Sequence, residues 1–308
     1  MMLLRQRGLL WVALSALAYS LFTIFGKEVL EQLRPSDVVF WRFGIAAPIS
    51  WGIVLVRYRM GRGPNPRDVD WRPRFLMGVL FGALALLAFA GLHLMSGSLY
   101  VVLIYTYPAM VAFGTWMMGK PTSRHMWLAI GVIAIGIALT VPEVVNGAGE
   151  SAVLGMFLTL GNAVLYASYI LYSERIVSGS SDGSSSGDSF VAAAWGMLGS
   201  FLFAVAVVVA ARGVSVPHGV GHLGATAGLA LVSTVIAMTA FFLGVTYLGP
   251  AKAAVVASLE PVLALVWLVL ISNETLQPVQ VIGAVFVFVG VFWAQHTPSA
   301  VKNTMVSG

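Results

Sequence analysis

Residues 257–272 read "ASLEPVLALVWLVLIS", an apolar run that holds a glutamate, Glu260, beside a proline, Pro261. A carboxylate at bilayer depth is costly. Proline lacks the N–H that a helix interior needs. The pair recurs in altered form in "LIYTYPAMVAFGTWMMGK" at 103–120, where Pro108 aligns with Pro261 and Tyr107 with Glu260. Downstream, "AIGVIAIGIAL" (129–139) resembles "VIGAVFVFVGV" (281–291), with Gly131 on Gly283. Upstream, "GLLWVALSALAYS" (8–20) resembles "GMFLTLGNAVLYA" (155–167), which sets Gly8, Ser15 and Tyr19 on Gly155, Asn162 and Tyr166. The chain is written twice.

Composition says in what solvent. Of 308 residues, 59% are hydrophobic and 9% charged, against about 25% charged in soluble domains, and the mean hydropathy is +0.91. This is a polytopic membrane protein. Apolar stretches of about 20 residues fall at roughly 9–26, 37–57, 75–95, 98–118, 125–141, 152–174, 189–211, 222–247, 251–272 and 278–296. Very short turns join the third to the fourth and the eighth to the ninth. The net charge of +5 sits in loops, where it reads as topology and not as a nucleic-acid surface. With the N-terminus inside, only Lys27, Arg34, Arg42 and Arg212 of the Lys and Arg fall outside, so the positive-inside rule puts both termini in the cytoplasm. The basic start at Arg5 and Arg7 has the look of a signal peptide. The apolar run continues to Phe25, however, and reads as a retained helix. There is no cysteine, which excludes disulfides and thiolate metal sites. Polar linkers occupy 142–152 and 178–189.

Spans one to five correspond to spans six to ten. Five is odd, so the second copy starts from the opposite face and the repeat is inverted. The expected fold is all-α: ten transmembrane helices as two inverted five-helix repeats, 1–147 and 148–296, around a central cavity, with a cytoplasmic tail at 297–308. In such architectures substrates bind near mid-depth where the copies meet, often at discontinuous helices. Pro108 and Pro261 are the expected helix breaks. Carbonyls freed there are tolerated only against protein or a water-lined cavity.

The cavity candidates follow from these breaks. Tyr105 and Tyr107 flank Pro108. Glu260 lies about 13 Å into its span at 1.5 Å per residue; it either binds substrate or a coupling proton, or holds the proline break with a structural hydrogen bond. Ser15 and Tyr19 share one helix face, and Asn162 and Tyr166 repeat them; these line the cavity or bond neighbouring helices. Arg42 anchors its helix, pairs with Asp37 or Glu28, or forms an outer lip for anions. His93 stands without Asp, Glu or Cys at metal-ligand spacing. No phosphate loop or reactive cluster occurs, so no catalytic residue, metal or cofactor is expected and the chain reads as a non-enzyme.

Three stretches carry a resemblance. "SLEPVLALVWLVLISNETLQPVQVIGAVFVFVGV" (258–291) has the Glu-Pro pair, Glu274 with Leu276, and Gly283 with Gly290. "RPSDVVFWRF" (34–43) sets a proline before Arg42-Phe43, and "YTYPAMVAF" (105–113) looks like a fourth helix. Over about residues 8–296 the chain resembles the EamA family of the drug/metabolite transporter superfamily. The resemblance implies a secondary active carrier that moves small organic metabolites or drug-like solutes, often outward, by alternating access. Uptake or exchange of amino acids or sugars is the alternative within transport, and a non-transporting scaffold or sensor the alternative of another class. Implied partners are a small-molecule substrate, the lipid bilayer and a coupling proton, with the protein a monomer or homodimer in the cell membrane, the bacterial inner membrane being expected. One departure stands out: where the family often has a first-half counterpart of Glu274, this chain has Lys120-Pro121. Glu274 itself reads as a helix cap.

Overall fold

The computed structural model describes residues 2–119, 124–140, 150–178, 189–248, 253, 256–257 and 259–296. The linkers, for the most part, the turn between the eighth and ninth spans, Lys120-Pro121 and the tail lie outside these residues. The described chain is helical, with no strand. Its elements are α1 (Met2–Ser20), α2 (Phe22–Leu30), α3 (Pro35–Arg59), α4 (Trp71–Leu94), α5 (Gly97–Ile104), α6 (Tyr107–Met117), α7 (Arg124–Thr140), α8 (Glu150–Ser178), α9 (Ser189–Ala210), α10 (Val220–Ala230), a π-helical segment Leu231–Ile236, α11 (Ala237–Leu248), α12 (Glu260–Leu270) and α13 (Pro278–His296).

Among the described residues, six stretches are long and apolar enough to cross a membrane: Gln6–Leu30, Pro35–Arg59, Trp71–Leu94, Glu150–Leu171, Ser189–Ala210 and Val220–Leu248. Shorter apolar helices are Gly97–Val111, Trp127–Gly136, Glu260–Leu270 and Pro278–Gly290. Each lies within, or largely overlaps, one of the candidate spans. The first span runs four residues further than expected, to Leu30, with a break at Leu21.

Helix ends follow local chemistry. α3 opens on Pro35, whose fixed φ suits the first turn and whose missing N–H has no partner to lose there. It closes past Arg57 and Arg59 on Gly61, at φ +65°. There Gly61 N donates to Tyr58 O (3.0 Å) and Arg62 N to Arg57 O (2.8 Å), the paired bonds of a Schellman ending. α4 starts behind Asp70, which accepts from Arg72 N. Two residues, Met95 and Ser96, then suffice to reach α5.

Packing repeats with the halves exchanged. α1 packs on α11 as α4 packs on α8; α12 packs on α1 as α6 packs on α8; α10 packs on α3 as α9 packs on α4. The pairs α3 with α9 and α7 with α13 map onto themselves. The same glycines make equivalent crossings. A Cβ on Gly244 would stand 3.4 Å from Gly8 O, and a Cβ on Gly91 would stand 3.4 Å from Gly155 O. Gly8 and Gly155 are the residues that the repeat sets on one another.

Glu274 caps a helix, as its position suggested, but in the other half. Its carboxylate accepts from Gly97 N (2.7 Å), Ser98 N (2.9 Å) and Ser98 Oγ (2.6 Å) at the start of α5. Negative charge there also meets the positive end of the helix dipole. Glu274→Ala is expected to cost about 2 kcal/mol and to lower the melting temperature in detergent by several degrees; an unchanged melting temperature would count against the cap.

Candidate functional site

The two predicted breaks open two helices in the same way. Tyr107-Pro108 are the first two residues of α6, and Glu260-Pro261 the first two of α12. The proline ring clashes with the carbonyl four residues back; for Pro108 that is Ile104, the last residue of α5. The break is therefore felt at Tyr105 and Thr106, upstream of the proline itself. Thr106 turns its hydroxyl onto Leu103 O at 2.7 Å, which satisfies one carbonyl near the gap.

The breaks meet through side chains. Tyr105 comes close enough to Glu260 for the two side chains to interact directly. Tyr19, Tyr107 and Tyr166 are also close enough to Glu260 to interact electrostatically with it. A chain of rings continues from there: Tyr105 to Tyr107 (6.2 Å between centroids), Tyr107 to Tyr166 (4.8 Å, edge to face) and Tyr166 to Tyr169 (6.2 Å, stacked). Glu260, Tyr19, Tyr105, Tyr107 and Tyr166 all keep part of their surface accessible. On the far side, Trp267 Nε1 donates to Ser20 Oγ at 3.0 Å and ties α12 to α1.

Five of the seven cavity candidates thus come together, and Ser15 does not join them. Ser15 is 1% exposed and donates to Ala237 O at 2.8 Å. Its hydroxyl holds α1 to α11 and does not face a cavity. Asn162 is 4% exposed, and its Oδ1 has no hydrogen-bond partner among the described residues.

Of the three readings of Arg42, the pairing with Asp37 or Glu28 is the one the structure overturns. Arg42 is 5% exposed, and neither Asp37 nor Glu28 pairs with it. Asp37 takes Arg34 instead, at 3.0 Å. Arg42 Nε donates to Thr234 Oγ1 at 2.9 Å, and Thr234 donates to Leu229 O. Thr234 belongs to the π-helical segment, a local rewinding that often marks functional sites. The guanidinium carbon lies 5.0 Å from the Phe22 ring centre, 5.2 Å from Phe43 and 5.7 Å from Phe89.

Beyond this, a cavity of about 560 Å³ opens where α2 and the end of α4 meet the α12–α13 hairpin, with Lys27, Glu28, Glu31, His93 and Glu274 among its walls. Lys27 donates to Met95 O at 2.7 Å. Glu28, Glu31 and His222 bring one ligand atom each to within 4.8 Å of one another. Sequence spacing could not have joined His222 to two glutamates on α2 and just beyond it; only the packing of α10 on α2 does.

Comparison with known proteins agrees with this architecture. The model of the EamA-like transporter family matches the chain twice, over residues 6–141 and 153–294. A protein of Bacillus subtilis named "Uncharacterized transporter YcbK" is 24% identical over 287 residues, covering 91% of this chain and 90% of that one. "Uncharacterized transporter sll1319" of Synechocystis is 24% identical over 258 residues, covering 79% of this chain and 72% of the other. A solved crystal structure superposes with a TM-score of 0.64 at 17% identity, covering 94% of this chain and 97% of that one, which speaks to the fold. With transporter relatives and several apolar helices, this is a multi-pass protein of the cell membrane. The chain belongs to the EamA-like transporter family.

Proposed function

We propose that this protein is a secondary active exporter of a small organic metabolite or drug-like solute, working by alternating access across ten spans arranged as two inverted repeats with both termini cytoplasmic. The observation that carries the reading is the approach of Tyr105 to Glu260 beside the two proline-opened helices. It joins the helix break of one half to the break of the other, at the depth where inverted-repeat carriers bind solute. The exchange-symmetric packing supports the inversion: two equivalent halves can rock about one site. Tyr19, Tyr107 and Tyr166 supply rings for a flat or cationic group, and Glu260 supplies the polar contact or the coupling proton.

The chain's lack of cysteine makes a direct test available. A single Tyr107→Cys variant, reconstituted in one orientation, is exposed to a membrane-impermeant thiol reagent from each side in turn. Alternating access predicts labelling from both sides, with the balance shifting as substrate is added. Labelling from one side alone would contradict it, and labelling from neither would favour a scaffold.

A further inference from the structure

We propose that Arg42 is the anion-binding end of the transport site, and that it receives the carboxylate of a small organic solute whose hydrogen-bond-donating end faces Glu260. This rests on the transporter reading above and names the chemistry of its substrate.

A guanidinium has five N–H donors, and Arg42 uses one, from Nε to Thr234. Among the described residues its terminal nitrogens make no hydrogen bond, and no carboxylate lies within ion-pair distance. A buried charge without a partner is strongly destabilising, and ionisable groups inside membranes face cavities or partners. The surroundings nevertheless hold this one in place. Phe22, Phe43 and Phe89 lie around it at cation–π range, and a π-helical turn presents Thr234 to its Nε. The side chain is fixed through one nitrogen, and its fork is left open.

The repeat sharpens the point. α9 takes in the second half the place α3 takes in the first, and α9 contains no charged residue. The buried arginine is thus a feature of one copy alone. Glu260 follows the same pattern, since its counterpart is Tyr107.

Position completes the inference. Tyr19 and Tyr100 are each close enough to both Arg42 and Glu260 to interact electrostatically with them. A solute lying along Tyr19, the accessible one of the two, would set one end on each charge. A planar carboxylate matches the open guanidinium fork bidentately. One arginine neutralises one carboxylate, whereas a phosphate brings nearly two charges. Glu260 then accepts from an ammonium or hydroxyl at the other end.

The test uses the full chain with Tyr19→Cys as its only thiol. The rates of modification by a sulfonate-bearing methanethiosulfonate and by its trimethylammonium analogue are measured with Arg42 present, with Arg42→Gln and with Arg42→Lys. The anionic-to-cationic rate ratio is expected to fall about tenfold in Arg42→Gln and to hold in Arg42→Lys. Benzoate, but not benzylamine, is expected to slow modification when Arg42 is present. If both reagents react and the ratio is unmoved in a folded Arg42→Gln protein, the anion site is wrong and the transporter reading stands. If neither reagent reacts in any variant, the site is sealed and both fall. Should Arg42→Gln fail to reach the membrane, the benzoate arm decides alone: equal effects of benzoate and benzylamine overturn the proposal.

Discussion

Glu260→Gln is expected to lower solute flux by at least about tenfold while the protein still reaches the membrane in normal amount. The amide keeps the shape of the carboxylate and can still meet Tyr105. What it loses is charge. Hydrogen bonds to ionised groups are about twice as strong as neutral ones, a difference of about 1.4 kcal/mol or more. That difference acts on substrate, on a coupling proton and on the Tyr105 contact together. Counterflow in proteoliposomes measures the effect, with melting temperature and membrane abundance read in parallel. A purely structural Glu260 would give the opposite pattern, with stability falling and flux per folded molecule unchanged. A Glu260→Gln protein that kept full flux and its full response to a pH gradient would rule out proton coupling through this residue.

Gly78→Val is expected to prevent folding, and Gly196→Ala to be tolerated. A Cβ on Gly78 would run into the carbonyl of Gly196, and one on Gly199 into the carbonyl of Phe75. These clashes are with backbone, so no rotamer relieves them; α4 and α9 would have to separate. Separation would also break the bond from Ser200 Oγ to Gly78 O, 2.7 Å long. Overpacking costs about 1–3 kcal/mol where side chains can yield, and more where they cannot, against a total stability of about 5–15 kcal/mol. A Cβ on Gly196 meets nothing within 4 Å. Expression level and monodispersity in detergent separate the two variants. A well-folded Gly78→Val protein would mean that the two helices do not cross as described.

Much of this fold is legible in the sequence, for physical reasons. Length and hydropathy locate the spans because a bilayer sets a fixed ruler. Pro108 and Pro261 locate the breaks because a missing N–H acts locally. The alignment of Gly8 with Gly155 anticipates equivalent crossings because small residues set how closely helices approach in lipid. What escapes is rotation and long-range pairing. Lipid is as apolar as the protein core, so a helix such as α9 shows no polar face to mark its exposed side. Ser15 and Tyr19 share a face by spacing, yet Ser15 is bonded to Ala237 O, 222 residues away, while Tyr19 reaches the site. A pairing of Arg42 with Asp37, on its own helix, or with Glu28 was one of the expected readings. The partner of Arg42, Thr234, is presented by a π-helical turn that no sequence period announces. Glu274 was readable as a cap, but not that it caps the opposite half.

The most direct test of the central claim is untargeted profiling of solutes inside and outside cells that express the chain, its Tyr105→Ala variant, its Glu260→Gln variant or an empty vector. The account predicts that one solute class, carrying a carboxylate, gathers outside with the unaltered chain, and that both variants abolish most of the shift. A folded, membrane-resident protein that moves no solute in either direction would contradict it.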